Sequence, residues 1–367
     1  MAKIVHPRGN PQAPVWVLVH SPYKKDADKH FVFSSGLGYH FDKMMKEAGF
    51  KDYYVFNQIQ DFDDLNSFNT FETEVRHYKP PILIPLGKAA AHACGELNEF
   101  VLKYKAKGDP YNAALEKYSG SILTTKIANY PHYAIPSYMP DYSMINWDQR
   151  DVIVNLDLGK AKSELEFFQK NSYLQPLPNP TLIYDATDEE IEAYLIDFDK
   201  HADYLSTDIE SLYFNKNSPF AEHPGHMVTL GLAPSKDLGI SFNIFRDDLE
   251  STARLWKLVY KLLSTKKIIG QNFFNFDWYR LQMYGFELPL MNIRDTLINH
   301  HILWPELPHK LQFLTKQYTR HPYYKDEGQG WSVKNMSGYR KYNCKDVCIT
   351  FEVWEEQQKE LIARDLL

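Results

Sequence analysis

Asp208-Ile-Glu210, Asn272-Phe-Phe-Asn-Phe-Asp277 and Tyr342-Asn-Cys-Lys-Asp346 set four carboxylates in order along the C-terminal half of the chain, with equal intervals from Asp208 to Asp277 and from Asp277 to Asp346. Carboxylate oxygens suit Mg²⁺, which takes near-octahedral oxygen ligands and is usually held by few carboxylates together with substrate phosphate. Four acids can hold two divalent cations, Mg²⁺ or Mn²⁺, about 3.5–4 Å apart, the arrangement that activates water on one side of a phosphodiester and stabilises the departing oxygen on the other. In that scheme Asp208 bridges both ions and Glu210 and Asp346 complete the nucleophile-side ion. Asp277 holds the leaving-group ion through water, and Tyr342 orients the attacking water.

Each motif alone has a plainer reading. Asp208 and Glu210 alternate on an expected strand and share a face, with Ile209 turned into packing; a lone Asp-x-Glu is more often a wet strand face. Asp277 could cap the helix beginning at Trp278, and Asn272 could brace its loop or approach a substrate. Tyr342 and Asp346 are i and i+4 on one helix face, yet Tyr342 could pack its ring while Asp346 pairs with Arg340 or Lys345. Order, spacing and element type occurring together favour the metal-site reading.

The elements that must position these residues follow from hydrophobic periodicity. A strand is expected over 203–213, with further strands at 227–233 and 239–245, making an antiparallel meander, and a short one over 267–270 that ends where the second motif begins. Helices are expected over 249–263, 278–284, 295–303, 311–318 and 339–364. In the first half, strands at 15–19, 53–56, 82–86 and 132–135 alternate with helices at 35–48, 88–104 and 148–170, a rhythm that reads as βαβ units in a largely parallel sheet. Pro176, Pro178 and Pro180 stop the preceding helical pattern and favour an extended connector. The expected organisation is therefore a domain over 1–172, a proline-rich linker over 173–180 and a second domain over 181–367.

A length of 367 residues with 44% hydrophobic content fits roughly two ordinary globular domains. The apolar run Val15–Val19 is too short for a membrane span, so a cytoplasmic protein without membrane partners is expected. Cys94, Cys344 and Cys348 are the only cysteines, too few for a disulfide framework and without a Cys-x-x-Cys pair for zinc or iron-sulfur. Net charge is −6, which argues against a broadly basic nucleic-acid coat. Residues 1–170 balance 20 basic against 20 acidic side chains, whereas the remainder holds 21 against 27, so the acid excess lies with the carboxylate motifs. A solvated acidic surface accounts for much of that bias.

The order D-x-E, N-x-x-x-F-D, Y-x-x-x-D resembles the tyrosine-type DEDD 3′-to-5′ exonucleases, and most closely the proofreading domain of family A DNA polymerases. Leu205-Ser-Thr-Asp208-Ile-Glu210, Ile269-Gly-Gln-Asn272, Ile293-Arg-Asp295-Thr296 and Pro308-His-Lys-Leu311-Gln-Phe-Leu314 look like that family's connecting segments. The resemblance covers about 181–365. It implies an RNase H-like mixed-sheet fold, divalent-metal dependence and stepwise release of nucleoside monophosphates from a DNA 3′ end. It also implies an apolar wedge between terminal bases, for which Leu212 or Phe214 are candidates; either could equally be core. Phe273, Phe274, Phe276 and Trp278 could stack on single-stranded bases, although most such rings are buried. His300 and His301 lack complementary ligand spacing and read as ordinary helix residues.

Residues 14–170 resemble the uracil-DNA glycosylase fold, nearest its family 4 type, through Val15-Trp-Val-Leu-Val-His20-Ser-Pro22, Phe31-Val-Phe-Ser-Ser-Gly36, Phe41-Asp-Lys-Met-Met-Lys-Glu-Ala-Gly49, Ile82-Leu-Ile-Pro-Leu-Gly87-Lys, Ile135-Pro-Ser-Tyr138 and Asp157-Leu-Gly-Lys-Ala161. The implied domain is a parallel-sheet α/β/α layer. The departures are chemical: His20 stands where the family carries an acidic residue, Tyr23 at its second glycine, and Ile135 at the histidine of its His-Pro-Ser motif. Base excision needs an anion for the sugar cation and a donor for the leaving base, and both are missing, as are the iron-sulfur cysteines. Asn57 occupies the base-contacting position, where a turn former is the plainer reading. A degenerate glycosylase domain retained for DNA contact or partner docking is expected.

The sequence therefore points to a metal-dependent 3′-to-5′ DNA exonuclease acting on single-stranded 3′ ends. With no polymerase palm in the sequence, it would work beside a separate DNA polymerase subunit or as part of a longer polymerase, with a phage origin plausible and the host cytoplasm its location. The alternatives are a non-catalytic DNA-binding adaptor of a replisome and an RNA-trimming exonuclease of RNase D type.

Overall fold

The computed structural model describes residues 4–20, 24–26, 28–57, 71–87, 115, 117–127, 130–139, 147–211, 226–328 and 336–367. The candidate wedge residues Leu212 and Phe214, the helix expected over 88–104, Cys94 and Tyr23 lie outside the described residues. The chain falls into two compact units, Met1–Leu177 with Arg320–Tyr323, and Pro178–Thr319 with Tyr324–Leu367.

The first unit holds a six-stranded sheet of β1 (Arg8–Gly9), β2 (Val15–Val19), β3 (Tyr54–Asn57), β4 (Ile82–Pro85), β5 (Leu123–Ile127) and β6 (Tyr130–Ala134), in the order β1-β3-β2-β4-β6-β5. The pairs β2/β3, β2/β4 and β4/β6 are parallel. Antiparallel β1 and β5 flank them; the short β1 and the hairpin to β5 escaped the expected parallel pattern because neither shows a clean apolar run. Val15, Val17, Val19, Val55 and Ile84 pack with Phe41, Met44 and Met45 of α1 (Gly36–Glu47). Trp16, Leu18, Tyr54, Phe56 and Leu83 pack on the opposite face with Val75 of α2 (Phe71–Tyr78). Burial on both faces explains why these strands are continuously apolar rather than alternating. The long α3 (Trp147–Asn171) adds Val154, Leu158 and Leu165 to the first of these clusters.

The second unit is built on β7 (Thr181–Ile183), β8 (Tyr204–Ser211), β9 (Met227–Ser235), β10 (Leu238–Phe242), β11 (Lys267–Gly270) and β12 (Ile293–Asp295), ordered β12-β11-β8-β9-β10-β7. Strands β8, β9 and β10 form the expected antiparallel meander. Beyond it, β11 joins β8 in parallel and β12 joins β11 in parallel. This is a mixed sheet of the kind the resemblance implied, extended by β7, which pairs in parallel with β10. The two sheets make the chain an α/β protein of the class the sequence implied.

Helix α4 (Asp188–His201) was not foreseen, although Thr187 and Glu190 form a complete capping box at its start, a signature legible in the sequence. It shares one sheet face with α5 (Leu249–Thr265), where Ile191, Leu195, Phe198, Leu255, Val259 and Leu262 enclose Leu205 and Ile209 of β8. The short α6 (Asp277–Met283), α7 (Thr296–Leu303) and α8 (Leu311–Tyr318) follow. The final α9 (Met336–Ala363) lies along β8, β9 and β10 on the opposite face. The pleat therefore divides β8: odd residues enter the apolar core and even residues meet α9, with Tyr204 tilted against Trp354 at 4.6 Å between ring centroids.

Close approach of α9 depends on Gly231, the register partner of Asp208 on β9. A Cβ there would lie 2.5 Å from Asn343 Oδ1 and 2.9 Å from Val347 Cγ1. Gly231→Ala is expected to push α9 off the sheet and to lower the urea midpoint by an amount worth about 1–3 kcal/mol, the usual cost of overpacking. A wild-type midpoint would show that the helix does not need this approach.

Candidate metal centre

Strand alternation turns Asp208 and Glu210 toward α9, and α9 returns Asp346 to meet them. One carboxylate oxygen from each of Asp208, Glu210 and Asp346 lies within 4.8 Å of the others. Asp277 comes from the start of α6. It does not serve as the helix N-cap, a position Phe276 occupies; its Oδ1 accepts a 2.8 Å hydrogen bond from the backbone N–H of Ile209, between the two acids of β8. The structure therefore brings together all four carboxylates singled out by sequence, three in one cluster and the fourth anchored to the strand that carries two of them.

Several partners were not foreseen. Asn343 Nδ2 donates to Asp208 Oδ2 at 2.6 Å, and Tyr339 Oη donates to Glu210 Oε2 at 2.7 Å. Tyr339, Tyr342, Asn343 and Asp346 are spaced i, i+3, i+4, i+7, one stripe of a helix. That spacing was readable, but only Tyr342 and Asp346 were singled out, because nothing in the sequence says which face of α9 is covered. Asn343 is itself fixed by Ser241 Oγ, which donates to its Oδ1 at 2.7 Å.

Asp346 pairs with neither Arg340 nor Lys345, the partners weighed from helical spacing. Arg340 binds Asp185 and Lys345 binds Glu327. Instead, Lys325 in the turn Lys325–Gly328 reaches both Asp346 oxygens, at 2.8 and 2.7 Å, and the Tyr342 hydroxyl at 3.0 Å. Tyr324 also donates its hydroxyl proton to Asp346.

The loop of the second motif is set by Asp295, a residue noticed only as flanking text. Its carboxylate accepts from the backbone N–H groups of Asn272 at 2.9 Å, Phe273 at 2.8 Å and Leu297 at 2.9 Å. It thus caps α7 and ties the loop to β12. Asn272 takes a left-handed conformation with φ 54°, and its side-chain oxygen accepts from Asn275 Nδ2 at 2.7 Å, so this amide braces the loop. Phe273 is buried in the core, while Phe274, Phe276 and Trp278 pack partly buried against it. His300 and His301 do not join the carboxylates; both approach His309, at 2.7 and 3.2 Å.

In the first unit, Asn57 is fully buried at the end of β3 and its amide donates to the Val5 carbonyl at 3.0 Å. Ile135 is buried as well.

Burial dominates the electrostatics of the acidic cluster. It pushes the Glu210 carboxyl up to about 7 and that of Asp277 up to about 8. Asp208 rises well above the carboxylate range, through burial and then repulsion from Asp277, Glu210 and Asp346. Like charges confined at low dielectric either keep protons or acquire a cation. All-oxygen donors within reach of one ion fit a hard divalent metal such as Mg²⁺ or Mn²⁺. The buried Cys344 and Cys348 stand apart, against β7 and β9.

Residues 6–163 match the family model described as the uracil DNA glycosylase superfamily, the same region whose sequence resembles that fold. A search of curated proteins gave no match. Among solved structures, the chain is similar to the catalytic core of RRP6 from Trypanosoma brucei, at 16% identity and TM-score 0.35, over 52% of this chain and 49% of that one. It is similar to the Aedes aegypti Nibbler EXO domain at 13% identity and TM-score 0.38, over 53% of this chain and 94% of that one. A third structure, described as the apo form of the nuclease, matches at 12% identity and TM-score 0.35, over 51% of this chain and 84% of that one. The chain thus spans about half the length of the RRP6 core.

A pH dependence follows. Unfolded carboxylates titrate near 4, whereas Glu210 and Asp277 hold protons in the folded state up to about 7 and 8. Between these limits the folded state binds more protons, so stability falls as pH rises. In EDTA the urea midpoint should drop from about pH 5 to about pH 8, and added Mn²⁺ should raise it more at pH 8 than at pH 6, because ligation displaces protons. A Mn²⁺ effect independent of pH would contradict the assignment.

Proposed function

We propose that the chain is a metal-dependent 3′-to-5′ DNA exonuclease that releases nucleoside 5′-monophosphates. The observation that carries this reading is the convergence of Asp208, Glu210 and Asp346 within 4.8 Å, with Asp277 bonded to the intervening backbone, on an RNase H-like sheet. The sequence resemblance to tyrosine-type DEDD exonucleases adds direction and substrate.

Two divalent ions, when bound, supply water activation and charge stabilisation at the leaving oxygen. On that reading Asp208 would serve both ions, Glu210 and Asp346 the nucleophile side, and Asp277 the leaving-group side. Asn343 and Tyr339 orient the first two carboxylates, the supporting role that outer ligands play in metal sites. Burial, followed by the charge of Asp346, raises the Tyr342 pKa, so the phenol keeps its proton. The protonated phenol is the donor proposed to hold the attacking water. Water oxygen attacks the terminal phosphorus, the 3′ oxygen of the preceding nucleotide leaves, and the shortened strand regains a 3′ hydroxyl.

The wider role proposed is proofreading beside, or within, a family A replicative DNA polymerase, possessing a single-stranded DNA 3′ end as substrate. The first unit then serves as a DNA-contacting or docking module. The glycosylase-like match over residues 6–163 supports DNA over RNA, and parallel deoxy and ribo substrates separate this reading from RNA trimming.

With Mg²⁺ or Mn²⁺, a 3′-end-unprotected DNA strand should yield a ladder of shortened products. Asp208→Ala and Asp346→Ala should each lower the rate by at least roughly 100-fold, as expected on losing a charge-stabilising group, and Tyr339→Phe by about 10- to 100-fold. Ladders persisting in both alanine variants would place the site elsewhere. On a uracil-containing oligonucleotide the full chain should leave no alkali-labile abasic sites; strand breaks at uracil after alkali would overturn the degenerate reading of the first unit.

A further inference from the structure

Lys325 is not a loose surface lysine. Its side chain is 17% exposed, and its ammonium lies 5.0 Å from the ring centroids of both Tyr324 and Tyr342. The turn that carries it is held at several points. Tyr324, just before it, is buried and bonded to Asp346, and Glu327 within it binds Lys345 of α9. At its end, Gly328 sits so close to Tyr342 that a Cβ would lie 2.9 Å from the ring. Fixing a lysine in one rotamer costs side-chain entropy, which the contacts to Asp346 must offset.

Those contacts take both oxygens of Asp346, at 2.8 and 2.7 Å. Mg²⁺ ligands sit at about 2.0–2.1 Å, so an ion ligated by Asp346 would stand within a few ångströms of an ammonium on the same carboxylate. At that separation the repulsion between them is large even with substantial screening. The ammonium and the divalent ion therefore compete for Asp346.

We infer that Lys325 is a built-in counter-ion that neutralises Asp346 in the metal-free protein and that a divalent ion must displace it to complete the site. This rests on the reading of Asp208, Glu210 and Asp346 as metal ligands. In the metal-free state the lysine holds Asp346 and Tyr342 in place and limits charge repulsion within the cluster, so the cage stays assembled before the metal arrives. The same contact sets a threshold on metal affinity.

The test uses Mn²⁺ alone, with free ion read by electron paramagnetic resonance, on the full chain and on Lys325→Met. The variant should bind Mn²⁺ roughly tenfold or more tightly, the size of a close charge-pair coupling. A second readout needs no variant: acetylation of Lys325 by a water-soluble active ester, followed by peptide mass spectrometry, should speed up severalfold when EDTA is replaced by saturating Mn²⁺. Equal or weaker Mn²⁺ binding by Lys325→Met, or unchanged or slower acetylation of wild type with Mn²⁺, overturns the inference while leaving the metal site standing. No Mn²⁺ binding by either protein removes the metal site and the counter-ion role together.

Discussion

Mutual repulsion among buried and half-buried carboxylates is the constraint around which the second unit is arranged. Asp208, Glu210, Asp277 and Asp346 are drawn from one strand and two helices into a space where each ionised group raises the cost of the next. A fold driven only by apolar burial would separate them. Here the backbone N–H of Ile209, the Asn343 amide, the Tyr339 and Tyr324 hydroxyls and the Lys325 ammonium each supply positive charge or a hydrogen-bond donor to one of them. Such compensation is what a buried polar group needs to avoid its desolvation penalty, and it leaves carboxylate oxygens directed at one another.

Helix α9 is the element on which this arrangement turns. It contributes the Asp346 carboxylate, the side chains of Tyr339 and Asn343 that hold Glu210 and Asp208, and the apolar contacts that press it to the sheet, and Gly231 lets it approach close enough for Asn343 to reach Asp208. The opposite sheet face, filled by α4 and α5 around Leu205 and Ile209, holds β8 in its pleat. Core and site are thus two faces of the same strand. A slip of one residue in β8 would bury Asp208 and Glu210 among leucines and turn Ile209 toward the carboxylates.

Much of this could be read in advance where local geometry decides. The period-two pattern of β8, the meander and the i, i+4 pair on α9 follow from residue spacing alone, and the three motifs indicated which acids converge. What escaped depends on tertiary pairing. Lys325 lies in a turn with no periodicity, and its bond to Asp346 spans |i−j| = 21. Tyr339 and Asn343 became partners only once the covered face of α9 was known, and Asp295 showed its purpose only when β12 lay beside the second motif. In the first unit, the antiparallel β1 and β5 were hidden by short or polar sequences, whereas the central parallel strands announced themselves through unbroken apolar runs.

The convergence of these acids on bound metal can be observed directly by anomalous diffraction from crystals soaked in Mn²⁺. The account predicts anomalous density enclosed by the carboxylates of Asp208, Glu210 and Asp346, with Lys325 moved off Asp346. Saturating Mn²⁺ that leaves this space without density, or collects only at surface acids, would contradict it.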